Sequence, residues 1–230
     1  MQIEELDYDL PEELVAQRPA ERRDASRLLV YSRGTGEVRH RTFADLPEEL
    51  PDGTLTVVND TRVIPARIPI ARPRGEVLLL ERLDAGEWLA LARLDVERVT
   101  LHVGLDTFRP VAVPTLEEHR LHGERYEVRP EAFRRIRAAE RVLAVGTTTV
   151  RVLETLARGA TLSGRTDLFV TPGFEFRRVD HLLTNFHLPR STLLALVMAF
   201  AGVEEVRRLY ALAVEERYRF YSFGDAMLIL

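Results

Sequence analysis

Three polar side chains stand directly before a stretch that is almost wholly apolar. Asn185 can donate and accept hydrogen bonds, His187 can move a proton near neutral pH, and Arg190 can hold a carboxylate through two parallel bonds. The apolar stretch 193–201 must be buried, so its polar start marks a place where the core meets a polar partner. A binding or catalytic site is predicted here. The alternative is that these groups satisfy neighbouring backbone atoms while a serine caps the helix.

A second candidate site is a glycine turn that leads into a hydroxyl-rich helix start. Thr147, Thr148 and Thr149 follow a predicted strand and Gly146, and Arg151 stands one turn further on. Free N–H groups and the positive dipole end of such a helix can bind a ribose, a carboxylate or a phosphate. Simple capping by one threonine is the alternative. The segment lacks the glycine spacing of the nucleotide-phosphate motifs.

Two further segments carry charged or metal-binding side chains. Asp60 and Arg62 follow the β-branched run 54–58, and ligands of open α/β sheets bind at strand ends. An ion pair that shapes the next connection explains these two residues equally well. His119 and His122 have a spacing that could place both rings on one helical face, but no further ligand motif supports a metal. A solvated or substrate-facing turn is favoured, and no metal site is predicted.

The composition narrows the chemistry. The 230 residues include no cysteine, which removes thiolate nucleophiles and thiolate-bound zinc, and all 32 basic residues are arginine, which removes a lysine Schiff base. Codon bias explains the arginines more simply than selection for guanidinium chemistry. The formal net charge of −4 argues against indiscriminate binding to nucleic acid but leaves room for a local basic patch. No apolar stretch or leader-like start suggests a membrane or export, so a cytoplasmic location is expected.

The elements that must position these side chains alternate between strand and helix. Strands are predicted at 27–31, 37–42, 54–58, 98–103, 141–145, 168–170 and 182–186, and helices near 11–14 and at 131–140, 148–157, 191–201 and 203 to about 219. Between residues 66 and 94 the pattern changes to extended segments, with 76–83 meeting 87–93 across a short turn. The pattern predicts a layered α/β domain with a β-rich insert.

Several of these segments, in the same order and nearly end to end, resemble the S-adenosylmethionine:tRNA ribosyltransferase-isomerase family. The segments that carry the resemblance are 10–17, 27–29, 59–67, 101–110, 145–151, 172–174, 184–191, 218–220 and 224–227. The resemblance implies a step in queuosine synthesis. The ribosyl moiety of S-adenosylmethionine is transferred and isomerised onto 7-aminomethyl-7-deazaguanine in tRNA, giving epoxyqueuosine with release of adenine and methionine. It further implies S-adenosylmethionine as ribosyl donor and no separate cofactor. A monomer is expected, although the sequence leaves the oligomeric state open.

The resemblance also implies an α/β main domain with a smaller inserted β-barrel-like domain. Residues 1–65 and 95–230 would form the main domain and 66–94 a remnant of the barrel, because the family's central segment is missing between about Arg93 and Asp95. A natural short form, an engineered deletion and a longer chain of which this is a part would all give this pattern. An inactive tRNA-binding remnant is therefore the alternative function. A methyltransferase is disfavoured, since no glycine-rich first loop follows an early strand.

Roles follow from residue chemistry placed on the matching segments. A general base would remove a proton next to the sulfonium, and the tRNA amine would attack the ribosyl fragment. The candidate catalytic residues are His187, Asp225 and Asp60. The candidate substrate-binding residues are Arg62, Thr147, Thr148, Thr149, Arg151, Asn185, Arg190 and His102. The arginines Arg62 and Arg190 suit the methionine carboxylate or tRNA phosphates, and the threonines suit ribose or adenine edges.

Overall fold

The structure is a computed structural model, and it describes residues 1–61, 67–70, 75–78, 95–102, 113–119, 121 and 123–230. Within these residues nine strands form one sheet and two more form a separate pair. The strands are β1 (Arg27–Ser32), β2 (Glu37–Thr42), β3 (Thr54–Asn59), β4 (Arg67–Ile70), β5 (Gly75–Leu78), β6 (Asp95–Leu101), β7 (Glu124–Glu127), β8 (Arg141–Val145), β9 (Ser163–Thr166), β10 (His181–Asn185) and β11 (Ala226–Ile229). The helices are α1 (Leu46–Glu49), α2 (Pro130–Ala138), α3 (Thr147–Ala157), α4 (Thr192–Ala201) and α5 (Val203–Glu215).

The large sheet is mixed, and its centre is parallel. Its strand order is β2-β1-β11-β10-β8-β3-β6-β7-β9. The strands β10, β8, β3 and β6 run parallel to one another, whereas β11 and β7 run antiparallel to β10 and β6. The carboxyl ends of the four parallel strands therefore meet at one edge of the sheet. Strand β11 begins at the same edge, because Ala226 is paired with Asn185.

Alternation along the strands sends side chains to two cores. Leu55 and Val57 of β3 join the larger core, which is completed by apolar residues of α2, α3, α4 and α5. Val58 faces the opposite side and joins a smaller core with Leu143 of β8 and Leu46 of α1. This alternation is what a sheet covered on both faces requires.

An ion-pair network holds helix α1, which packs on the smaller core, against strand β2. The carboxylate of Glu49, on α1, accepts from Arg39 Nε at 3.0 Å and from Arg41 Nε at 2.6 Å. Both arginines belong to β2, at the edge of the sheet. The two guanidinium groups lower the pKa of the Glu49 carboxyl against the opposing effect of burial, which is the largest single influence on it.

Most of the predicted elements are confirmed. The hairpin of β1 and β2, the strands β3, β6, β8 and β10, and the helices α2, α3, α4 and α5 lie where the sequence pattern placed them, within a few residues. The short helix near 11–14 is a 3-10 turn, Glu12–Leu14. The predicted pair 76–83 with 87–93 lies mostly outside the described residues. Among the described helices, none is long and apolar enough to cross a membrane.

The predicted strand at 168–170 is wrong. Val170 is buried, which explains the apolar signal. However, the Leu168 carbonyl accepts from Arg151 Nε at 3.0 Å, so a side chain rather than a neighbouring strand satisfies this backbone. The strand of this region is β9, a short polar edge strand paired antiparallel with β7.

Candidate active site

In the parallel centre of the sheet, the adjacent strands β3 and β8 connect onward to opposite sides. After β3 the next parallel strand is β6, on one side, whereas after β8 it is β10, on the other. Two adjacent parallel strands whose onward connections diverge leave a crevice at their carboxyl ends, which is where open α/β sheets bind ligands. The candidate site is therefore the edge formed by the ends of β3, β8 and β10.

Asn59 connects the two sides of this crevice. Its Nδ2 donates to the Leu101 carbonyl at 3.2 Å and to Thr148 Oγ1 at 3.3 Å, and its Oδ1 accepts from Leu101 N at 3.0 Å. The amide thus ties the ends of β3 and β6 to the start of α3. Asn59 was not singled out from sequence as a site residue, although an amide directly after a β-branched run was the available signal.

The three threonines of the α3 start have different environments. Thr149 is fully buried, and its hydroxyl donates at 2.7 Å to the carbonyl of Val145, the last residue of β8. Thr147 is also buried, whereas Thr148 is half-buried and faces Asn59. The helix begins after Gly146, whose φ of 87° favours glycine and which has no side chain to cap the first turn. Thr148 is accordingly the threonine best placed to contact a ligand.

Asn185 and Asp225 meet where β10 ends and β11 begins. Asn185 Nδ2 donates to the Asp225 carbonyl oxygen at 3.1 Å. The buried Asp225 carboxylate accepts from the backbone N–H of Arg27 and of Arg219, each at 2.8 Å. Because both carboxylate oxygens are occupied by backbone donors, this geometry favours a positioning role for Asp225.

Gly224 makes the position of Asp225 possible. A Cβ atom at Gly224 would lie 2.3 Å from the Arg219 carbonyl oxygen, too close for any side chain. The backbone therefore turns tightly between Tyr221 and Gly224, where Gly224 N donates to the Tyr221 carbonyl at 2.9 Å.

His187 lies inside the core, just behind the edge. Its ring is almost fully buried, and Nε2 shares a hydrogen bond of 2.9 Å with the Thr184 hydroxyl. Its backbone N–H donates to the Tyr210 hydroxyl at 3.0 Å, and its carbonyl accepts from the Tyr8 hydroxyl. Burial lowers the pKa of the His187 imidazole to about 4, so the ring is neutral at pH 7.

Three predicted residues reach the surface around the edge or near it. Asp60 is exposed and accepts from the Thr100 hydroxyl at 2.7 Å. His102 follows β6 and is half-buried, with its backbone N–H donating to the Arg125 carbonyl at 2.8 Å. Arg190 is exposed, has a positive φ of 54°, and its Nε donates to Asp7 Oδ2 at 2.9 Å.

Arg151 points away from the edge and into the protein. Its buried guanidinium forms an ion pair with the buried Glu124 carboxylate and donates to the carbonyls of Thr166 and Leu168, at 3.2 and 3.0 Å. Its donors hold the segment after β9 against α3. The remaining site residue, Arg62, lies outside the described residues, as does His122.

The structure thus brings Thr148 and Asn185, with Asn59, to one edge and places Asp60 beside them on the end of β3. His187 and Asp225 lie directly behind this edge, and Arg151 lies in the interior. The roles assigned to these residues from sequence stay predictions.

A mixed sheet with a parallel centre and helices packed on it places the chain in the class of open α/β proteins, which bind ligands at the carboxyl ends of their parallel strands. Comparison with known proteins makes this specific. The family model described as a queuosine biosynthesis protein matches residues 3–95 and 88–229, so the chain belongs to the queuosine biosynthesis protein family.

Relatives that match over the full length of this chain carry the same name. The chain is 40% identical to the S-adenosylmethionine:tRNA ribosyltransferase-isomerase of Rubrobacter xylanophilus, with 100% of this chain and 98% of the relative covered. It is 38% identical to the protein of that name from Thermotoga maritima, with both chains covered completely. The crystal structure of S-adenosylmethionine tRNA ribosyltransferase from Thermotoga maritima is similar, with a TM-score of 0.75, 38% identity, and coverage of 98% of this chain and 100% of that chain.

The alignments also locate the segment that this chain lacks. They run over 327 positions with the Rubrobacter relative and 335 with the Thermotoga relative, whereas this chain has 230 residues. The two parts of the family match meet at residues 88–95. The predicted gap at about Arg93 to Asp95 is therefore confirmed.

Proposed function

We propose that this protein transfers and isomerises the ribosyl moiety of S-adenosylmethionine onto 7-aminomethyl-7-deazaguanine in tRNA. The product is epoxyqueuosine, and adenine and methionine are released. The observation that carries the proposal is family membership over the whole chain, with every relative named above bearing this enzyme's name or a shorter form of it. The candidate edge is formed by Asn59, Thr148 and Asn185. All three are present in this chain, so the edge does not depend on the missing segment.

The groups at the edge suit an adenosyl ligand. Asn185 Oδ1 has no hydrogen-bond partner within the described part of the chain, so it is available to a ligand donor. The Thr148 hydroxyl accepts from Asn59 and retains its own proton for donation. Together they offer one acceptor and one donor to ribose hydroxyls or adenine edges.

Asp60 and His187 are the two predicted groups able to accept a proton next to the sulfonium. We place Asp60 first, because its carboxylate is exposed at the end of β3. His187 is neutral but buried, and a proton would have to reach it through the Thr184 hydroxyl. The sulfonium already supplies a good leaving group, so the proposal needs S-adenosylmethionine as donor substrate and no separate cofactor.

The domain division belongs to the same proposal. Residues 1–65 and 95–230 form the α/β main domain, and 66–94 are what remains of an inserted β-barrel-like domain. The antiparallel pair β4 and β5, separate from the large sheet, supports this division. The protein is proposed to act in the cytoplasm as a monomer.

The test is incubation with labelled S-adenosylmethionine and tRNA that contains the 7-aminomethyl-7-deazaguanine precursor. Adenine and methionine are expected in equal amounts, with epoxyqueuosine in the digested tRNA. Binding of tRNA without adenine release would contradict the proposal and support an inactive remnant, whereas S-adenosylhomocysteine would reveal methyl transfer.

A matched pair of variants then tests the edge. Thr148→Val removes the hydroxyl that faces Asn59, and we expect the KM for S-adenosylmethionine to rise by roughly ten-fold, as for the loss of one ligand hydrogen bond. The control is Thr155→Val on the same helix, which removes a hydroxyl bonded to Thr166. Equal KM values for the two variants would remove Thr148 from the site.

A further inference from the structure

Four arginines belong to segments that are bonded next to the turn 221–224 or lead into it, and we call them the arginine cluster. They are Arg18, Arg27, Arg217 and Arg219. Arg18 and Arg217 are exposed, and Arg27 and Arg219 are half-buried. A group of this kind gives a protein of negative net charge a local positive surface.

Hydrogen bonds bring three members of the cluster together from distant parts of the chain, and the fourth, Arg217, stands two residues before Arg219. The Asp225 carboxylate accepts from the backbone of Arg27 and of Arg219, and the Arg219 guanidinium donates to the Arg18 carbonyl. The Arg27 guanidinium lies 3.7 Å from the centre of the Tyr218 ring, which fixes its orientation. The cluster is therefore a built feature of the fold rather than a chance grouping.

The charge of the cluster is only partly compensated. The Arg27 guanidinium has Glu216 at 3.8 Å. Arg18 and Arg217 form no ion pair with any residue that the structure describes. Exposed guanidinium groups without carboxylate partners are the usual contacts of nucleic-acid phosphates.

An exposed aromatic ring lies in the same turn. Phe223 is 44% exposed and is the one large hydrophobic side chain recorded as exposed within the described ranges. The turn that carries it is anchored, because Tyr221 N donates to the Phe186 carbonyl at 2.9 Å and Gly224 cannot be replaced without a clash. An exposed aromatic ring on an anchored turn, next to segments that carry arginines, suits stacking on an unpaired base.

The surface is continuous with the candidate site. Asn185 donates to the carbonyl of Asp225, two residues after Phe223, and Phe186 follows Asn185 directly. A nucleotide stacked on Phe223 would therefore lie close to a base held at the sheet edge.

We propose that the arginine cluster and Phe223 bind the single-stranded anticodon loop of the tRNA substrate. The arginines contact phosphates, and Phe223 stacks on a base that neighbours the one being modified. This inference rests on the proposed function, because it takes tRNA as the substrate, and it adds the surface that tRNA contacts.

The test is fluorescence anisotropy with a labelled anticodon stem-loop RNA at several salt concentrations. Phe223→Leu and Phe223→Ala are expected to weaken binding by roughly five- to a hundred-fold, the range for loss of one base stack. Phe223→Trp should bind like the wild type. Retained affinity in Phe223→Leu would show that apolar contact suffices and would overturn the stacking role.

The arginines are tested through the salt dependence. Arg217→Gln is expected to weaken binding and to reduce the slope of log K against log salt by about 0.7, the value for one phosphate contact on a single strand. The control is Arg137→Gln, an exposed arginine on α2, which packs beside β6 and away from β11. Equal slopes for Arg217→Gln and the wild type would overturn the phosphate contact.

Failure of this inference is distinguishable from failure of the proposed function. If the wild type releases adenine but all the Phe223 and Arg217 variants bind RNA normally, the surface is wrong and the function stands. If the wild type binds RNA through these residues without releasing adenine, the surface stands and the function is wrong. A wild type that binds no RNA overturns the surface.

Discussion

His187 combines a position next to the candidate edge with an environment that keeps it uncharged. Its nearest polar partner is the Thr184 hydroxyl, and burial holds its pKa near 4. A buried neutral histidine makes the free energy of unfolding depend on pH. In mild acid the imidazole binds a proton in the unfolded chain but not in the folded chain.

We predict that the free energy of unfolding falls between pH 6.5 and pH 4 partly because of His187. The contribution is complete above the unfolded pKa of 6.5 and is lost as the pH falls towards 4, with a total of about 3 kcal/mol. Urea unfolding of the wild type and of His187→Gln across this range measures it. The variant should show a shallower pH dependence, and parallel curves would disprove the effect. Adenine release by the same variant at pH 7 tests its predicted role in proton transfer.

Glu154 is a buried carboxylate with an anchoring role. It lies on α3, is fully buried, and accepts from the backbone N–H groups of Arg177, Arg178 and Val179 at 2.9 to 3.1 Å. It also pairs with the Arg158 guanidinium at 2.6 Å. The segment that leads into β10 is therefore held to α3 by one side chain.

We predict that Glu154→Gln lowers the free energy of unfolding by about 2 to 4 kcal/mol, since an amide cannot accept at both positions and leaves Arg158 without its partner. Thermal denaturation of Glu154→Gln beside Glu131→Gln, an exposed carboxylate on α2, provides the comparison. A loss no larger than that of the Glu131 variant would contradict the anchoring role.

At the scale of elements, the buried pair of Arg151 and Glu124 joins α3 to β7. Arg151 also donates to the carbonyl of the last residue of β9 and to that of Leu168 just after it, so one guanidinium holds three segments together. Replacing one partner of a buried ion pair is generally more destabilising than replacing both partners with apolar residues.

We predict that Arg151→Met costs about 3 to 5 kcal/mol of stability, and that adding Glu124→Leu restores part of this loss. A double-mutant cycle in urea measures the coupling. Additive losses would show that the two side chains act independently. Substrate affinity of the double variant, if it folds, tests the sequence-based prediction that Arg151 binds substrate.

At the scale of the whole molecule, the chain is proposed to consist of a main domain and a remnant insert. The single tryptophan, Trp88, falls in the insert by sequence, whereas the helices and the nine-stranded sheet of the proposed main domain are expected to supply most of the far-ultraviolet circular dichroism. The two signals therefore report on the two proposed domains separately.

We predict that tryptophan fluorescence and circular dichroism give different urea midpoints. Two domains with separate cores unfold independently, while one cooperative unit gives coincident transitions. A Trp88→Phe variant provides the control, since its circular dichroism midpoint should match the wild type. Coincident midpoints would count against the domain division.

Local patterns predicted most of the elements around the site. The short runs of β3 and β8 and the longer apolar run of α4 differ in length and in residue type, which separates strand from helix. The pattern failed at 168–170, because burial and strand pairing give the same apolar signal. The structure shows no strand at 168–170, and the Leu168 carbonyl is bonded by the Arg151 guanidinium instead.

The sequence predicted the segments of the candidate site one by one. It could not predict the distances between them. Asn185 and Thr148 were each expected at an element boundary, and parallel strands bring such boundaries to one edge. The burial of His187 after β10 and of Arg151 within α3 is not predictable from residue type, because that does not indicate whether a side chain faces the core or the solvent.

The sequence alone determined the family, the missing central segment and the chemistry that the absence of cysteine and lysine excludes, because these depend on residue identity and order. The tertiary structure decided which polar groups are accessible to a ligand. It left Thr148, Asn185 and Asp60 at the sheet edge, placed His187 in the core, and gathered arginines from both ends of the chain around Phe223. The physical reason is that exposure and pairing depend on strand order and register, which arise from contacts between residues far apart in the chain.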